Sequence, residues 1–156
     1  MGETFVLPSA DLQAETKYVP GTDGQKMSKS RGNIINIFLP EKELKKQVMS
    51  IETDSTSLEE PKNPDACNVF GIYQLIASEE ETEALRKKYV AGGFGYGHAK
   101  TELLNLILSK FKDERERFDY YMNNLSELDK KLQEGAEKTR RIAQQTLARV
   151  RKQLGY

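Results

Sequence analysis

Two lysines and two serines lie together in the run Lys26-Met27-Ser28-Lys29-Ser30, on a segment that glycines flank. An ammonium group is a compact point charge suited to phosphate oxygens, and serine hydroxyls add short-range hydrogen-bond donors. When a carboxylate attacks the α-phosphate of ATP, negative charge builds on the departing pyrophosphate, and cations held there lower the barrier. If the loop binds ATP, Lys26 and Lys29 are therefore the candidate catalytic residues. The alternative is a solvated basic loop without a ligand.

A second candidate site lies at the end of the chain, where residues 138–156 carry six cations and no acidic residue. The six are Lys138, Arg140, Arg141, Arg149, Arg151 and Lys152. Cations along a helix contact phosphates and stack on unpaired bases, so the segment predicts an RNA-binding helix face. A solvated helix face, whose terminal cations complement the helix dipole, is the alternative.

The composition excludes several other kinds of site. Lys plus Arg and Asp plus Glu both number 24, so a nucleic-acid site must come from local charge asymmetry. The single Cys67 excludes an intrachain disulfide or a multi-cysteine zinc site, and the single His98 argues against a histidine metal centre. We expect no metal ligands, no membrane span and a cytoplasmic location.

The elements that must position these residues differ between the two parts of the chain. Residues 4–8 and 18–20 have strand-like composition, and two lone strands are marginal by themselves. They predict the remnant of a larger sheet. Residues 20–35 are rich in glycine and small polar side chains, which predicts a loop.

From Leu39 onward the pattern predicts about five helices. The first starts with Pro40 at its first position, and a short apolar helix follows over residues 67–76. Ser78 caps the next helix, which ends at Gly92-Gly93. One long helix then carries the apolar stripe Leu103, Leu104, Ile107, Leu108, Phe111, Phe118, Met122 and Leu125. A capping box at residues 126–129 and a last helix with Ile142, Thr146, Val150 and Leu154 on one face complete the prediction.

These motifs together resemble those of tryptophanyl-tRNA synthetases, from about residue 17 to the end. Residues 26–30 read KMSKS, the signature loop of class I aminoacyl-tRNA synthetases. Three further elements agree in order and spacing: Thr53-Asp54-Ser55, the turn Gly95-Tyr96-Gly97 with Lys100, and Glu134-Gly135-Ala136-Glu137-Lys138, which is expected to open the last helix. Two departures concern the KMSKS loop itself. Arg31-Gly32-Asn33 replaces an acidic residue and a proline common in bacterial members, and Gly24-Gln25 precedes the loop where a lysine is common.

The resemblance implies a carboxyl-terminal fragment of an enzyme that activates tryptophan with ATP and Mg²⁺ and charges tRNA(Trp). Residues 1–25 would be the remnant of a Rossmann-type nucleotide-binding domain, residues 26–38 the KMSKS loop and linker, and residues 39–156 the helical anticodon-binding domain. Residues 26–30 would bind ATP. The parent enzyme is expected to be a cytoplasmic homodimer.

The family's histidine-containing ATP signature and its tryptophan pocket lie upstream of the KMSKS loop, and His98 is expected to be a helix-start or packing residue. The isolated chain is therefore expected to be catalytically incompetent, with no ATP, tryptophan or Mg²⁺ bound to it. Three alternatives remain at this point: a tyrosyl-tRNA synthetase fragment, a non-catalytic helical RNA-binding module, and a plain helical interaction domain.

Overall fold

The computed structural model describes residues 5–11 and 18–155, and these form a mainly helical protein. The α-helices are α1 (Glu41–Met49), α2 (Asn68–Gln74), α3 (Glu79–Ala91), α4 (Tyr96–Lys110), α5 (Lys112–Asn123) and α6 (Leu125–Leu154). Short 3-10 helices cover Lys29–Arg31 and Pro64–Ala66. Residues 18–116 form one compact unit, and the described residues from Arg117 onward belong to a second unit together with residues 5–11. The predicted helical class is confirmed.

The core of the first unit forms where α4 packs against α1 and α2, and α2 packs against α3. Its fully buried side chains include Leu44, Val48, Val69, Phe70, Leu85, Tyr89 and Leu103. Leu44 and Val48 are four residues apart, so they share one face of α1. The Tyr89 ring meets the Phe70 ring edge-on at a centroid distance of 5.5 Å. Burial of these rings and branched side chains is what holds α1 to α4 together.

The residues that link the KMSKS loop to α1 are tied into the same core. Ile35, Ile37 and Leu39 pack against the buried cluster. The Arg115 guanidinium donates a hydrogen bond to the carbonyl oxygen of Ile37, and the Asn36 N–H donates to the Gln47 side chain at 2.8 Å. The loop therefore leads into a firmly packed segment.

The start and end of α3 follow the sequence prediction. The Ser78 hydroxyl accepts a hydrogen bond from the Glu81 N–H at 3.2 Å, and the Glu81 carboxylate accepts one from the Ser78 N–H at 2.7 Å. The second bond lowers the pKa of the Glu81 carboxyl. After Ala91 the chain leaves the helix at Gly92, whose φ of 77° suits glycine. The predicted cap at Ser78 and the predicted stop are confirmed, and the reciprocal bond from Glu81 makes the cap a capping box.

The later helix boundaries were predicted less well. The single long helix is wrong, because the chain turns at Phe111 (φ −104°, ψ 21°) between α4 and α5. The predicted cap at residues 126–129 is also wrong. Helix α6 follows Asn124, and Ser126 already lies in its first turn. The Glu134 to Lys138 element lies inside α6, because leucines before it extend the helical pattern and one glycine costs only about 1 kcal/mol.

Two smaller differences concern the first forty residues. Pro40 precedes α1 with extended backbone (φ −50°, ψ 144°) instead of occupying its first position. Residues 5–8 lie in no strand, and the rest of the predicted 4–8 strand lies outside the described residues. Residues 18–20 contribute one isolated antiparallel bridge, between Pro20 and Lys26. Strand pairing needs neighbouring strands, and the described part of the chain supplies none beyond this bridge.

No described helix is long and apolar enough to cross a membrane.

Candidate functional site

The KMSKS loop is one arm of a small hairpin. The Gly21 N–H donates to the Gln25 carbonyl at 2.7 Å, and the Met27 N–H donates to the Val19 carbonyl at 2.9 Å. Gly24, at φ 72°, makes the reversal between the arms, where a side chain would be strained. Lys26 therefore lies where the two arms of the hairpin are hydrogen-bonded. Lys29 and Ser30 belong to the 3-10 helix Lys29–Arg31 that follows.

The side chain of Asn33 lies at the centre of this hairpin and is 3% exposed. Its amide oxygen accepts from the Ser28 N–H at 2.8 Å. Its amide nitrogen donates to the Asp23 carboxylate at 2.7 Å and to the Lys26 carbonyl at 3.2 Å. The bond from Asn33 lowers the pKa of the Asp23 carboxyl, which also accepts from the Gln25 N–H at 2.9 Å. The sequence pattern did not identify Asn33 as a site residue.

Both lysines of the KMSKS loop are exposed, as is Ser30, while Met27 and Ser28 are half-buried. Within the described residues, neither ammonium group forms an ion pair. The hydroxyl oxygens of Ser28 and Ser30 are 2.9 Å apart and hydrogen-bonded. The hairpin thus presents two cations without ion pairs and two hydroxyls on a hydrogen-bonded backbone, and these are groups that bind phosphate oxygens.

Two of the other motifs of the resemblance, Thr53-Asp54-Ser55 and the turn at Gly95 with Lys100, lie in the same compact unit as this hairpin. The Tyr96 hydroxyl donates to the Asp54 carboxylate at 2.8 Å. Burial, and secondarily this bond, raise the pKa of the Tyr96 phenol to about 12. The Lys100 ammonium donates to the Met49 carbonyl at the end of α1, at 3.0 Å, and burial lowers the pKa of Lys100. One residue before Thr53, the Glu52 N–H donates to the Thr22 carbonyl of the hairpin at 2.7 Å. These contacts connect the Thr53-Asp54-Ser55 motif to Tyr96 and to the hairpin, and Lys100 to the end of α1.

His98 has a packing role, as the sequence predicted. It lies in the first turn of α4, and its ring centroid is 5.8 Å from that of Phe94. The part of the chain that the structure describes contains no group of three or more His, Cys, Asp or Glu side chains able to hold a metal ion.

The six predicted RNA-binding cations all lie on α6 and all are exposed. At 3.6 residues per turn, four of them fall within an arc of about 80° on the helix. These four, Lys138, Arg141, Arg149 and Lys152, are called the basic stripe below. Arg140 and Arg151 share a different side, about 130° around the helix from the middle of the basic stripe. The structure therefore divides the six cations into two groups on separate sides of α6.

Neither group is neutralised by acidic side chains within the described residues. The ion pairs of the described chain involve other cations. Arg149 donates to the Thr146 hydroxyl at 3.3 Å. From Lys138 to the end of α6 the sequence has no carboxylate side chain. The basic stripe is consequently a row of positive charge that runs from Lys138 to Lys152, over about four helical turns at roughly 3.6 residues per turn.

Comparison with known proteins places the chain in a family. The sequence profile described as tRNA synthetases class I (W and Y) matches residues 5–112. The chain is 48% identical over 153 residues to a tryptophan–tRNA ligase of Fusobacterium nucleatum, covering 98% of this chain and 47% of the relative. It is 45% identical to a tryptophan–tRNA ligase of Campylobacter jejuni, covering 99% of this chain and 48% of the relative. The chain spans about half the length of the curated relatives it matches.

A solved structure shows the same fold. The crystal structure of the tryptophanyl-tRNA synthetase from Campylobacter jejuni, complexed with ADP and tryptophan, matches with a TM-score of 0.85 and 44% identity. The match covers 99% of this chain and 49% of that chain.

Proposed function

Because the chain belongs to the class I tRNA synthetases specific for tryptophan and tyrosine, we propose that it forms the part of a tryptophan–tRNA ligase that carries the ATP loop and the tRNA-binding helices. The observation that carries the proposal is the hydrogen-bonded KMSKS hairpin, whose two lysines form no ion pair within the described residues, in a chain 48% identical to a tryptophan–tRNA ligase. The similar proteins cited above are tryptophan enzymes, which disfavours the tyrosine alternative.

In the proposed reaction the tryptophan carboxylate attacks the α-phosphate of ATP, forming tryptophanyl-adenylate and releasing pyrophosphate. The Lys26 and Lys29 ammonium groups stabilise the charge that develops on the pyrophosphate as the bond to the α-phosphate breaks. Met27, Ser28 and Ser30 complete the ATP-binding loop. Because the two serine hydroxyls are hydrogen-bonded to each other, one of them remains available as a donor to a phosphate oxygen. The described residues offer no acidic cluster for Mg²⁺, so we assign this chain no metal ligand and expect the ion to arrive on the nucleotide.

The adenylate is then consumed when the aminoacyl group is transferred to tRNA(Trp). We propose that α6 contacts this tRNA through the basic stripe, which holds four of the six predicted cations, and that residues 39–156 form the anticodon-binding part, after the loop and linker of residues 26–38 and the catalytic-domain remnant of residues 1–25. The support is the exposed, uncompensated charge of α6. We further propose that the whole enzyme is a cytoplasmic homodimer that binds tryptophan and ATP through groups outside this chain.

The proposal is tested with a chimera in which this chain replaces the matching half of the Campylobacter jejuni enzyme. Tryptophan-dependent exchange of labelled pyrophosphate into ATP measures adenylate formation. We expect the chimera to be active and Lys29→Ala to lower its kcat by about 100- to 1000-fold, the usual effect of removing one group that stabilises the transition state. Lys42→Ala is the matched control, because Lys42 is an exposed lysine on α1. A folded chimera whose exchange is insensitive to Lys29→Ala would overturn the proposal.

The same assay on this chain alone tests its expected incompetence. The groups that align tryptophan and ATP are supplied elsewhere in the proposed enzyme, and losing such alignment costs many orders of magnitude in rate. We expect no exchange above background while circular dichroism shows the helices intact. Exchange that disappears in Lys29→Ala would mean that the chain assembles a complete site.

A further inference from the structure

The exposed lysine side chains of the KMSKS loop have no partner that orients them within the described residues, so their positions depend on the backbone beneath. That backbone is held by few side-chain hydrogen bonds among the described residues: the Asn33 side chain makes two of them, and the side chains of Tyr18 and Asp23 make one each. The Asn33 amide bonds to Asp23, to the Lys26 carbonyl and to the Ser28 N–H, and its own carbonyl accepts from the Thr22 N–H at 2.9 Å. One buried residue therefore bonds to both arms of the hairpin.

The bonding pattern requires an amide at this position. Ser28 offers an N–H and needs an acceptor, whereas the Asp23 carboxylate and the Lys26 carbonyl need donors. Asn and Gln combine an acceptor oxygen with an NH2 group that offers two donors, and the shorter Asn occupies the space beside Gly21. A carboxylate at position 33 would keep the bond to Ser28 but would face the Asp23 carboxylate. A buried amide left without these bonds would cost free energy, so the geometry is strongly specified.

Gly21 provides the space that this arrangement needs. A Cβ atom at Gly21 would lie 2.4 Å from the Asn33 side-chain carbon and 2.5 Å from the Asn33 backbone oxygen. Contacts this short are not tolerated, so any side chain at position 21 must displace Asn33. The backbone of Gly21 has no positive φ, so alanine there would act on Asn33 by size alone.

We infer that Asn33 is a positioning residue for adenylate formation: it fixes the backbone of Lys26 to Ser28 so that the ammonium groups of Lys26 and Lys29 meet the leaving pyrophosphate. This rests on the proposed function of the KMSKS loop. Asn33 contacts no phosphate itself, since its amide is buried and occupied by Asp23, Lys26 and Ser28. Its effect on the reaction passes through the loop backbone.

The first measurement is amide hydrogen exchange by NMR on this chain. In Asn33→Ala the Ser28 amide loses its acceptor, and we expect its exchange to accelerate about tenfold, the effect of one hydrogen bond. Gly21→Ala should do the same while leaving the Asn33 amide in the sequence, which keeps the test valid if Asn33→Ala fails to fold. Asn105→Asp is the matched control, because Asn105 is exposed on α4. Unchanged Ser28 exchange in both loop variants would overturn the inference.

The second measurement uses the chimera described above. A misplacement of catalytic groups by about 1 Å can cost roughly 100-fold in rate, so we expect Asn33→Ala and Gly21→Ala to lower kcat between 10- and 100-fold. We expect the KM for tryptophan to stay unchanged. A residue that only stabilises the fold would not lower kcat while leaving this KM unchanged. If Lys29→Ala lowers kcat but the two loop variants do not, the inference fails and the proposed function stands. If Lys29→Ala has no effect, the proposed function itself fails.

Discussion

The basic stripe of α6 leads to a prediction with an internal control. If tRNA lies along the basic stripe, replacing Arg141 and Arg149 by glutamine removes two phosphate contacts. Replacing Arg140 and Arg151 removes the same charge from the same helix, but on a side about 130° away. We expect only the first double variant to weaken binding substantially. Circular dichroism should show both variants as helical as the parent chain, because arginine and glutamine have similar helix propensities.

The expected magnitude follows from counterion release. Each phosphate neutralised on single-stranded or duplex nucleic acid contributes about 0.7 to 0.9 to the slope of log K against log salt. Loss of two contacts should therefore reduce the slope by about 1.4 to 1.8. Over a fourfold rise in salt, from about 50 to 200 mM, the parent chain should lose roughly 10-fold more affinity than the variant of the basic stripe.

The assay is fluorescence anisotropy of a labelled tRNA(Trp) transcript titrated with this chain at several salt concentrations. Equal changes in slope for the two double variants would refute the assignment of RNA contact to one side of α6. Unchanged affinity in both would refute RNA contact by these cations and favour the plain interaction domain. If the chimera shows no pyrophosphate exchange but its tRNA binding still depends on the basic stripe, the non-catalytic RNA-binding module is favoured.

Two further predictions concern the support of the site. Lys100→Met removes the charged donor to the Met49 carbonyl at the end of α1. We expect urea denaturation to show a free energy of unfolding that is lower by about 1–2 kcal/mol. An unchanged denaturation midpoint would show that the bond does not stabilise the fold. Glu81→Gln tests the capping box through pH. The folded state lowers the pKa of Glu81 from 4.5 through the Ser78 N–H bond, so this stabilisation is present above pH 4.5 and is lost as pH falls through the lowered value. The difference in Tm between parent and variant should shrink below that pH, and a constant difference would contradict the assignment.

The elements that the sequence predicted well are those governed by local rules. Ser78 with Glu81 three residues later is a capping signal that needs no tertiary context. Gly92-Gly93 is a local signal for a helix end, because glycine readily adopts the positive φ that often follows the last helical residue. The break at Phe111 followed no such rule, because the apolar spacing continues across it and neither glycine nor proline marks it. Periodicity alone therefore joined two helices into one.

The KMSKS lysines were predicted from residue type and spacing, whereas the residue beneath them was not. Asn33 appeared in the sequence only as a departure from the pattern of bacterial relatives. Its bonds to Asp23 and Ser28 span ten and five residues of irregular chain, and no periodicity reports which loop side chain turns inward. The one available signal was the small Gly21, which becomes meaningful only once the hairpin brings it against Asn33.

The contacts that shape the KMSKS hairpin also explain how half of a proposed active site can keep its geometry. Almost all of them lie within residues 19–33, and Glu52, which bonds to Thr22, belongs to the same compact unit. None of these bonds requires a residue from outside this chain. In the proposed enzyme the remaining part has to supply tryptophan and ATP, whereas the hydrogen bonds that shape the loop all come from residues of this chain.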